Sequence, residues 1–567
     1  MPEPAASRRR QRVERVAVWA IAVVVCCWFV APVVNFRHLA TAAYWGDVRL
    51  IAWALAWNHR VLTGQASSYW DANIFHPAGQ TLALSEHVFG IAVPALPLHL
   101  AGADAMLVYN VAWLASFPLM AMAVHALARQ TGMGATASLA AGLLAACSFV
   151  RIQHVGHLQL LWSFGLPLSL AYLDRWSMTP RARWLVAWVV AALSACLASW
   201  YLAMLTIVAT GVWAVPCTWP YLRRRDWRRL AFLAAAVAVV AVVLCVFARP
   251  YRALPPGPAD EARANSADLA AYVVPARATV VGHWLSVNGS TAPRWSFGER
   301  TRFLGWTTLL LALCGTVTVV GTVARSLRVG RTDSAAPLPR RLPVVVAIGV
   351  LAFALSLGPG DPDGLPTAFD LLRGLPGMAL VRAPARFSLI VSMVVALLAG
   401  QGLASLTSRR RWLAIPLLAL ALIEVRPFHY ELPPPQPERI SPLYDHLARL
   451  PAGPVVSLPV AWGTPLSWYD ADYQWYATRH WHPIVNGFSR GEPPGHAARM
   501  QKLASFPADE ALDALCTAGT VYVVAHAARP FADFRPAIAA AASQPRLRPL
   551  ARDGDDRLWT LECPEAP

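Results

Sequence analysis

The 567-residue sequence predicts a mainly α-helical polytopic membrane protein of about eleven transmembrane helices, followed by a small extracytoplasmic α/β or α+β domain. Three observations predict it. The chain is 56% hydrophobic and only 14% charged, against about 25% charged residues in soluble domains. Apolar runs of membrane-crossing length recur from residue 16 to residue 425. Beyond Arg426 the character changes: the proline-rich ELPPPQPER at 431–439 reads as a linker, and short strand-like runs follow.

The net charge of +17 does not point to nucleic acid, because the arginines sit in short clusters between apolar runs. Their placement fits topology, as positive charge retained on the cytoplasmic side. Arg8, Arg9, Arg10, Arg12 and Arg15 precede the run at 16–35, so the N-terminus is expected inside and the opening loop outside. No small-residue cleavage site follows that run, which is read as an uncleaved span. Further runs lie at 106–127, 136–149, 158–173, 184–199, 201–219, 230–247, 303–323, 342–357, 387–406 and 412–425. The run at 88–101 is short, contains Pro94 and Pro97, and is expected to dip into the membrane without crossing. Then Arg175, Arg181 and Arg183, the Arg223 to Arg229 cluster, the 325–341 loop and Arg409 to Arg411 all face inside. This ladder gives a multi-pass protein of the cytoplasmic membrane, its transmembrane domain at 1–429 with a large first outer loop at 36–105. A soluble domain at 430–567 lies outside. In that domain PVVSLPV at 454–460 and TVYVVAH at 520–526 read as strands, and 508–518 as a helix.

The opening loop holds the groups that lipid tolerates least. Asp47 stands almost where the chain leaves the bilayer, and an acidic residue at the mouth of a span is a functional-site hypothesis by default. Segment 48–62 is amphipathic, with Trp53 and Trp57 four apart, and is expected to lie flat in the membrane interface. Arg49 is two residues from Asp47 and points to another helix face, so any partner of Asp47 is expected elsewhere. Asp47 is read either as a general base that takes a proton from an acceptor hydroxyl or as a carboxylate satisfied by a partner. Asp71, Glu86 and His87 are candidates for acceptor contacts or a divalent cation, against the alternative of loop-stabilising hydrogen bonds. Their spacing matches no metal motif, so whether a metal takes part is left open.

Three other polar segments share the predicted outer face. Arg151, His154 and His157 recur at steps of three in SFVRIQHVGHLQ and would share one face of a helix, suited either to an anion such as phosphate or to structural pairing. Arg382 and Arg386 in VRAPARF stand outside against the positive-inside trend, as lipid-phosphate ligands or as snorkelling anchors. In the loop 249–302, Asp268, Tyr272, His283, Trp284 and Glu299 are further candidates. Asp361 with Asp363, Asp470 with Asp472, and the sequon at Asn288 are short patterns that arise readily by chance. In the C-terminal domain Asp470, Asp472, Tyr473, His482, Asn486 and Arg490 form the most polar-aromatic cluster. Of nine cysteines, Cys516 and Cys563 alone fall in the polar C-terminal region; if that region faces an oxidising compartment they could pair, the alternative being two free thiols. There is no P-loop, dinucleotide fingerprint, H-E-x-x-H or serine elbow, so no nucleotide cofactor is expected.

The acidic residue after the first span, FHPAGQTLALSEHVFG, SFVRIQHVGHLQLLW, GERTRFLGW, LVRAPARF and HPIVNGFSR together resemble stations of the GT-C superfamily of membrane glycosyltransferases, over nearly the full chain. The resemblance implies a polyprenyl-phosphate-linked sugar as donor, used on the outer face by an inverting mechanism. It implies Asp47 as base, and Arg151, His154, His157, Arg382 and Arg386 as candidate ligands of the donor phosphate. The acceptor is a glycan, a lipid or a protein. Relatives often carry paired acids in the first outer loop, whereas Asp47 is followed by Val48 and Arg49, leaving a second carboxylate to Asp71 or Glu86. The rival readings are a lipid or polysaccharide transporter and a non-catalytic assembly protein. No internal repeat of the transporter kind is visible.

Overall fold

The computed structural model describes residues 5–36, 40–41, 46–255, 257–287, 299–329, 337–361, 364–375, 377–428, 440–464 and 466–564. The linker at 431–439, Asn288 and Asp363 lie outside the described residues. The chain folds into two compact units: residues 1–42, 110–247 and 255–433 form one, and residues 43–109, 248–254 and 434–567 form the other.

The first unit is helical. Among the described residues six helices are long and apolar enough to cross a membrane: Val13–Val33, Ala105–Gln130, Ala135–Ile152, Trp200–Arg223, Trp227–Ala248 and Pro384–Leu406. Three more of the eleven runs are shorter apolar helices, at Ala182–Cys196, Trp306–Gly321 and Pro343–Ser356. The remaining two fold as Gly165–Met178 and Ala414–Val425. The chain is thus a multi-pass membrane protein. Ser388–Leu406 is the central helix, with most of its residues buried. It packs closely because small residues face each other: a Cβ on Gly402 would collide with the Leu311 carbonyl, and one on Gly315 with the Leu398 carbonyl. Backbone approach of this kind holds helices together where lipid removes the hydrophobic drive. Trp227–Ala248 is the opposite case, with Leu233 its one buried residue.

The second unit contains the helix Phe89–Leu100, with Pro94 and Pro97 inside it. Its 12 residues rise about 18 Å at 1.5 Å each, short of a hydrocarbon core about 30 Å thick. The unit's sheet has four strands, β1 (Val455–Leu458), β2 (Tyr522–Ala525), β3 (Leu547–Asp553) and β4 (Asp556–Leu561), in the order β1-β2-β4-β3. β1 and β2 are parallel and the other pairings antiparallel. Strands β1 and β2 and the helix Asp509–Thr517 are the elements the sequence marks. The β3–β4 hairpin is an addition, closed by Gly554 at φ 57. Pro549 is tolerated because β3 is an edge strand with a register shift there. Val456, Leu458, Leu512, Leu515, Val523 and Trp559 fill the core. Cys516 and Cys563 form a disulfide across 47 residues of chain, a loop whose closure removes about 4 kcal/mol of unfolded-state entropy on the chain-entropy model.

Candidate functional site

The helical unit holds a buried charge cluster built from two separate segments. Glu299 and Arg302 stand on the approach to the helix Trp306–Val329. That approach is pinned where the Arg302 and Leu304 amides donate to the carbonyls of Ala271 and Tyr272, at 3.0 and 3.1 Å. Arg386 lies in the turn Pro384–Phe387 that opens Ser388–Leu406. Glu299 joins the two. Its Oε1 accepts from Arg386 Nε at 2.9 Å and Nη2 at 2.6 Å, and its Oε2 accepts from Arg302 Nη2. Arg302, fully buried, also donates Nε to the Ala385 carbonyl at 3.1 Å, tying the segments together. The Arg386 guanidinium lies 4.3 Å from the centre of the Tyr201 ring. Tyr201 Oη accepts from the Arg382 amide at 3.3 Å, and Arg382 pairs with Glu261 at 3.1 Å. Burial alone raises the Glu299 pKa, but the Arg386 and Arg302 guanidiniums hold it well below the usual carboxylate range.

His154 belongs to the same electrostatic neighbourhood. Burial lowers its pKa well below the usual imidazole value, with Glu299 opposing and Arg302 and Arg386 reinforcing. Its Nε2 has no hydrogen-bond partner among the described residues, although the residue is only 2% exposed. The 148–159 segment is not one helix. Phe149–Ile152 and Leu158–Leu161 are single turns, and the His154 and His157 amides donate three residues back, at 2.9 and 2.8 Å. Turns of three residues stack positions i and i+3, so His154 and His157 meet, ring centres 5.5 Å apart, for a different reason than helical periodicity. Arg151 is committed to structure: Nη1 donates to Ser163 Oγ at 2.6 Å and Nη2 to the Leu161 and Ser116 carbonyls. Asp268 caps the helix Leu269–Val273 by accepting from the Ala271 amide at 2.8 Å. Tyr272 Oη and Ser356 Oγ are 2.7 Å apart, and the rings of His283 and Phe428 lie 4.2 Å apart, centre to centre, inclined by 39°.

In the second unit Asp47 is the first residue of the helix Asp47–Leu62 and is half-buried. The expectation that this helix lies on a membrane surface is corrected. Every residue from Val48 to Asn58 is buried, and both indoles are used: Trp53 Nε1 donates to Asn73 Oδ1 at 3.1 Å and Trp57 Nε1 to the Tyr69 carbonyl at 3.0 Å. Arg49 pairs with buried Asp472 of the helix Asp470–Tyr476, and Asp472 lies 3.8 Å from Arg529. Asp470 Oδ1 accepts from the Ala461 amide at 3.0 Å, so the second acidic triplet holds loops and helices in place. Asn486 bridges Ser457 on both sides, and His482 bonds Gly453. Among the described residues no three His, Cys, Asp or Glu side chains are placed to hold a metal ion. Asp71, Glu86 and His87 therefore do not assemble as a cation cradle. Exposed Asp71 accepts from Ser68 Oγ at 2.8 Å and the Gln80 amide at 2.7 Å, while His87 is fully buried beside Tyr251.

The buried imidazoles of this unit set its pH response. Burial pushes His87 and His480 down to about 3 and His496 to about 4. A histidine neutral when folded takes up a proton on unfolding below its ordinary value near 6.5, so its stabilisation is complete above that pH and lost as pH falls. Asp470, raised to about 7 by burial, works the other way between pH 7 and 4. With His99 also lowered, to about 4, and His526 lowered by burial, the imidazoles outweigh the one raised carboxylate, and stability should fall as pH drops below 6. Thermal unfolding at pH 7.5 and pH 5 should show a steep fall at the acid end; an unchanged midpoint would contradict the neutral buried imidazoles.

Arabinofuranosyltransferase AftD from Mycobacteria superposes with a TM-score of 0.55 at 15% identity, over 98% of this chain and 42% of its own. The Archaeoglobus fulgidus oligosaccharyltransferase AglB, solved with an inhibitory peptide and a dolichol-phosphate, gives 0.43 at 12%, over 90% and 69%. ArnT from Cupriavidus metallidurans, bound to undecaprenyl phosphate, gives 0.41 at 12%, over 96% and 97%. The fold is GT-C-like. No curated protein matches the sequence. One family model does match, from residue 72 to residue 424, a stretch that takes in most of the helical unit and the whole Glu299–Arg302–Arg386 cluster. The chain accordingly belongs to the family described as a domain of unknown function, DUF6311.

Proposed function

We propose that the protein is an integral-membrane glycosyltransferase that moves a sugar from a polyprenyl-phosphate donor to an extracytoplasmic glycan, lipid or protein. The observation that carries this reading is the buried cluster of the helical unit: two guanidiniums organised on one carboxylate, with His154 beside them at 2% exposure and its Nε2 without a partner among the described residues. Ionisable groups buried in a membrane protein are costly and are kept for function. Guanidiniums are suited to phosphate, which they bind through paired hydrogen bonds. The GT-C-like fold, shared with a protein named as an arabinofuranosyltransferase, supports the same class. The Cys516–Cys563 disulfide supports an oxidising, extracytoplasmic setting for the C-terminal residues 430–567, with the N-terminus in the cytoplasm.

In the proposed reaction an acceptor hydroxyl attacks the anomeric carbon with inversion. The bond from that carbon to the phosphate oxygen breaks, and polyprenyl phosphate leaves. Asp47 takes the hydroxyl proton. Arg386, with Arg302 behind it, meets the charge that develops on the phosphate, an electrostatic role that needs groups fixed in advance. His154 and His157 supply further contacts to the phosphate, and Arg382 steadies the segment that carries Arg386. A transporter would use the same buried charge without consuming the donor.

The test is to reconstitute the purified protein in lipid nanodiscs with polyprenyl-phosphate-linked pentoses and hexoses, with and without EDTA. Release of polyprenyl phosphate dependent on an added acceptor is expected. Binding of polyprenyl phosphate without turnover of any donor would favour the transporter, and no binding at all would remove the reading.

A further inference from the structure

Within the second unit, a cleft of about 340 Å³ opens beside the C-terminal half of the helix Asp47–Leu62. Its volume falls in the range of about 300–1,000 Å³ usual for small-molecule sites. Trp57 and Trp481 form an aromatic corner, ring centres 6.2 Å apart and inclined by 44°. The Arg60 guanidinium lies 4.5 Å from the centre of the Trp481 ring and is fixed there by two bonds to Gln65, at 3.2 and 3.0 Å. Opposed to this corner, Asp71 is held by Ser68 and the Gln80 amide, one bond to each carboxylate oxygen. Each oxygen keeps a second lone pair for a ligand hydroxyl. Trp481 has φ 59, a backbone region that bulky residues seldom adopt, and strained residues of this kind cluster at binding sites.

We propose that this cleft is a saccharide-binding subsite that takes a neutral sugar ring, stacked in the Trp57–Trp481 corner with its hydroxyls on Asp71. As the place where an acceptor glycan is held, it rests on the transferase reading; as a binding site it stands alone. Apolar ring faces paired with fixed hydrogen-bond groups suit a sugar, a ligand having a C–H face and a rim of hydroxyls. The charges on the lining favour a neutral one. Arg60 and Asp71 offset each other, and His76, also on the lining, is held toward its neutral form by burial and by Arg499. A phosphorylated ligand would meet a carboxylate with no surplus cation on the lining to answer it, Arg499 being off the lining and engaged with the His76 carbonyl at 3.4 Å.

The full-length protein in nanodiscs, without donor, is titrated with neutral arabino-, manno- and gluco-oligosaccharides of two to four residues, with glucose, and with glucose 6-phosphate. Binding is read by saturation-transfer difference NMR and calorimetry. At least one neutral oligosaccharide should bind, with affinity lowered about tenfold or more in Trp481→Ala and again in Asp71→Asn, which keeps the shape of the cleft. The phosphorylated sugar should bind more weakly than its neutral counterpart. The proposal is overturned if no neutral oligosaccharide binds, if both variants bind as the parent does, or if the phosphorylated sugar binds more tightly. Because this assay contains no donor, it can fail while transfer is observed, and it can succeed while transfer is absent.

Discussion

Glu299→Gln is expected to lower folding stability by about 3–5 kcal/mol, the scale for removing one partner of a buried ion pair. The substitution keeps the shape of the side chain and removes only its charge. Arg302 has no exposed surface and would be left facing a neutral amide, as would Arg386, which now donates two bonds to the same Oε1. The bonds at stake link the 299–302 approach to the Pro384–Phe387 turn, so the loss would be felt at the head of the central helix Ser388–Leu406. A second substitution isolates the cause. Arg302→Met in the Glu299→Gln background removes the stranded guanidinium and should recover part of the loss, because the uncompensated buried charge is what makes breaking one side of a buried ion pair costly. The measurement is the thermal unfolding midpoint of the purified protein in detergent for both singles and the double. A midpoint for Glu299→Gln within error of the parent would mean that the cluster does not support the fold.

The contrast between what the sequence reveals and what it hides is clear at this cluster. Glu299 and Arg386 stand out singly, as polar groups next to apolar runs, but nothing in a linear reading joins residues 87 positions apart. Arg302 is passed over although it lies one turn from Glu299 in GERTR, a spacing that pairs opposite charges. The spans are legible because lipid demands unbroken apolar length, and all eleven runs fold as helices. Helix 47–62 shows the limit of periodicity. Two tryptophans on one face suit a membrane surface and a protein core equally well, and the deciding partner of Arg49 is Asp472, far along the chain. The β3–β4 hairpin was within reach, since Asp553-Gly554 is a tight-turn signal. Pro549 and the charged residues in LRPLARDGDDRLWTL mask the strands on either side.

Asp47→Asn is expected to reduce sugar transfer by about two to four orders of magnitude, the contribution of a positioned general base. Asp47 opens its helix, where a carboxylate adds about 0.3–1 kcal/mol through the helix dipole, and the neutral amide is nearly isosteric. The position itself is set by the backbone: Gly46 has φ 42, and Trp468 packs where a side chain on it would project, at 3.3 Å from the would-be Cβ. Activity loss with an unchanged unfolding midpoint would therefore report on chemistry and not on folding. Two further readouts separate a base from a carboxylate that only orients the acceptor. A base sets the acidic limb of the rate profile, so that limb should disappear in the residual activity of the variant. Asp47→Glu should restore part of the rate, since it returns a carboxylate within reach of the hydroxyl. Full transfer by Asp47→Asn would leave the fold and the buried arginines in place but remove the proton acceptor from the mechanism. If no transfer were seen with either protein while polyprenyl phosphate still bound, the charge cluster would be serving a carrier, and Asp47 would be a helix-terminal carboxylate with no part in bond breaking.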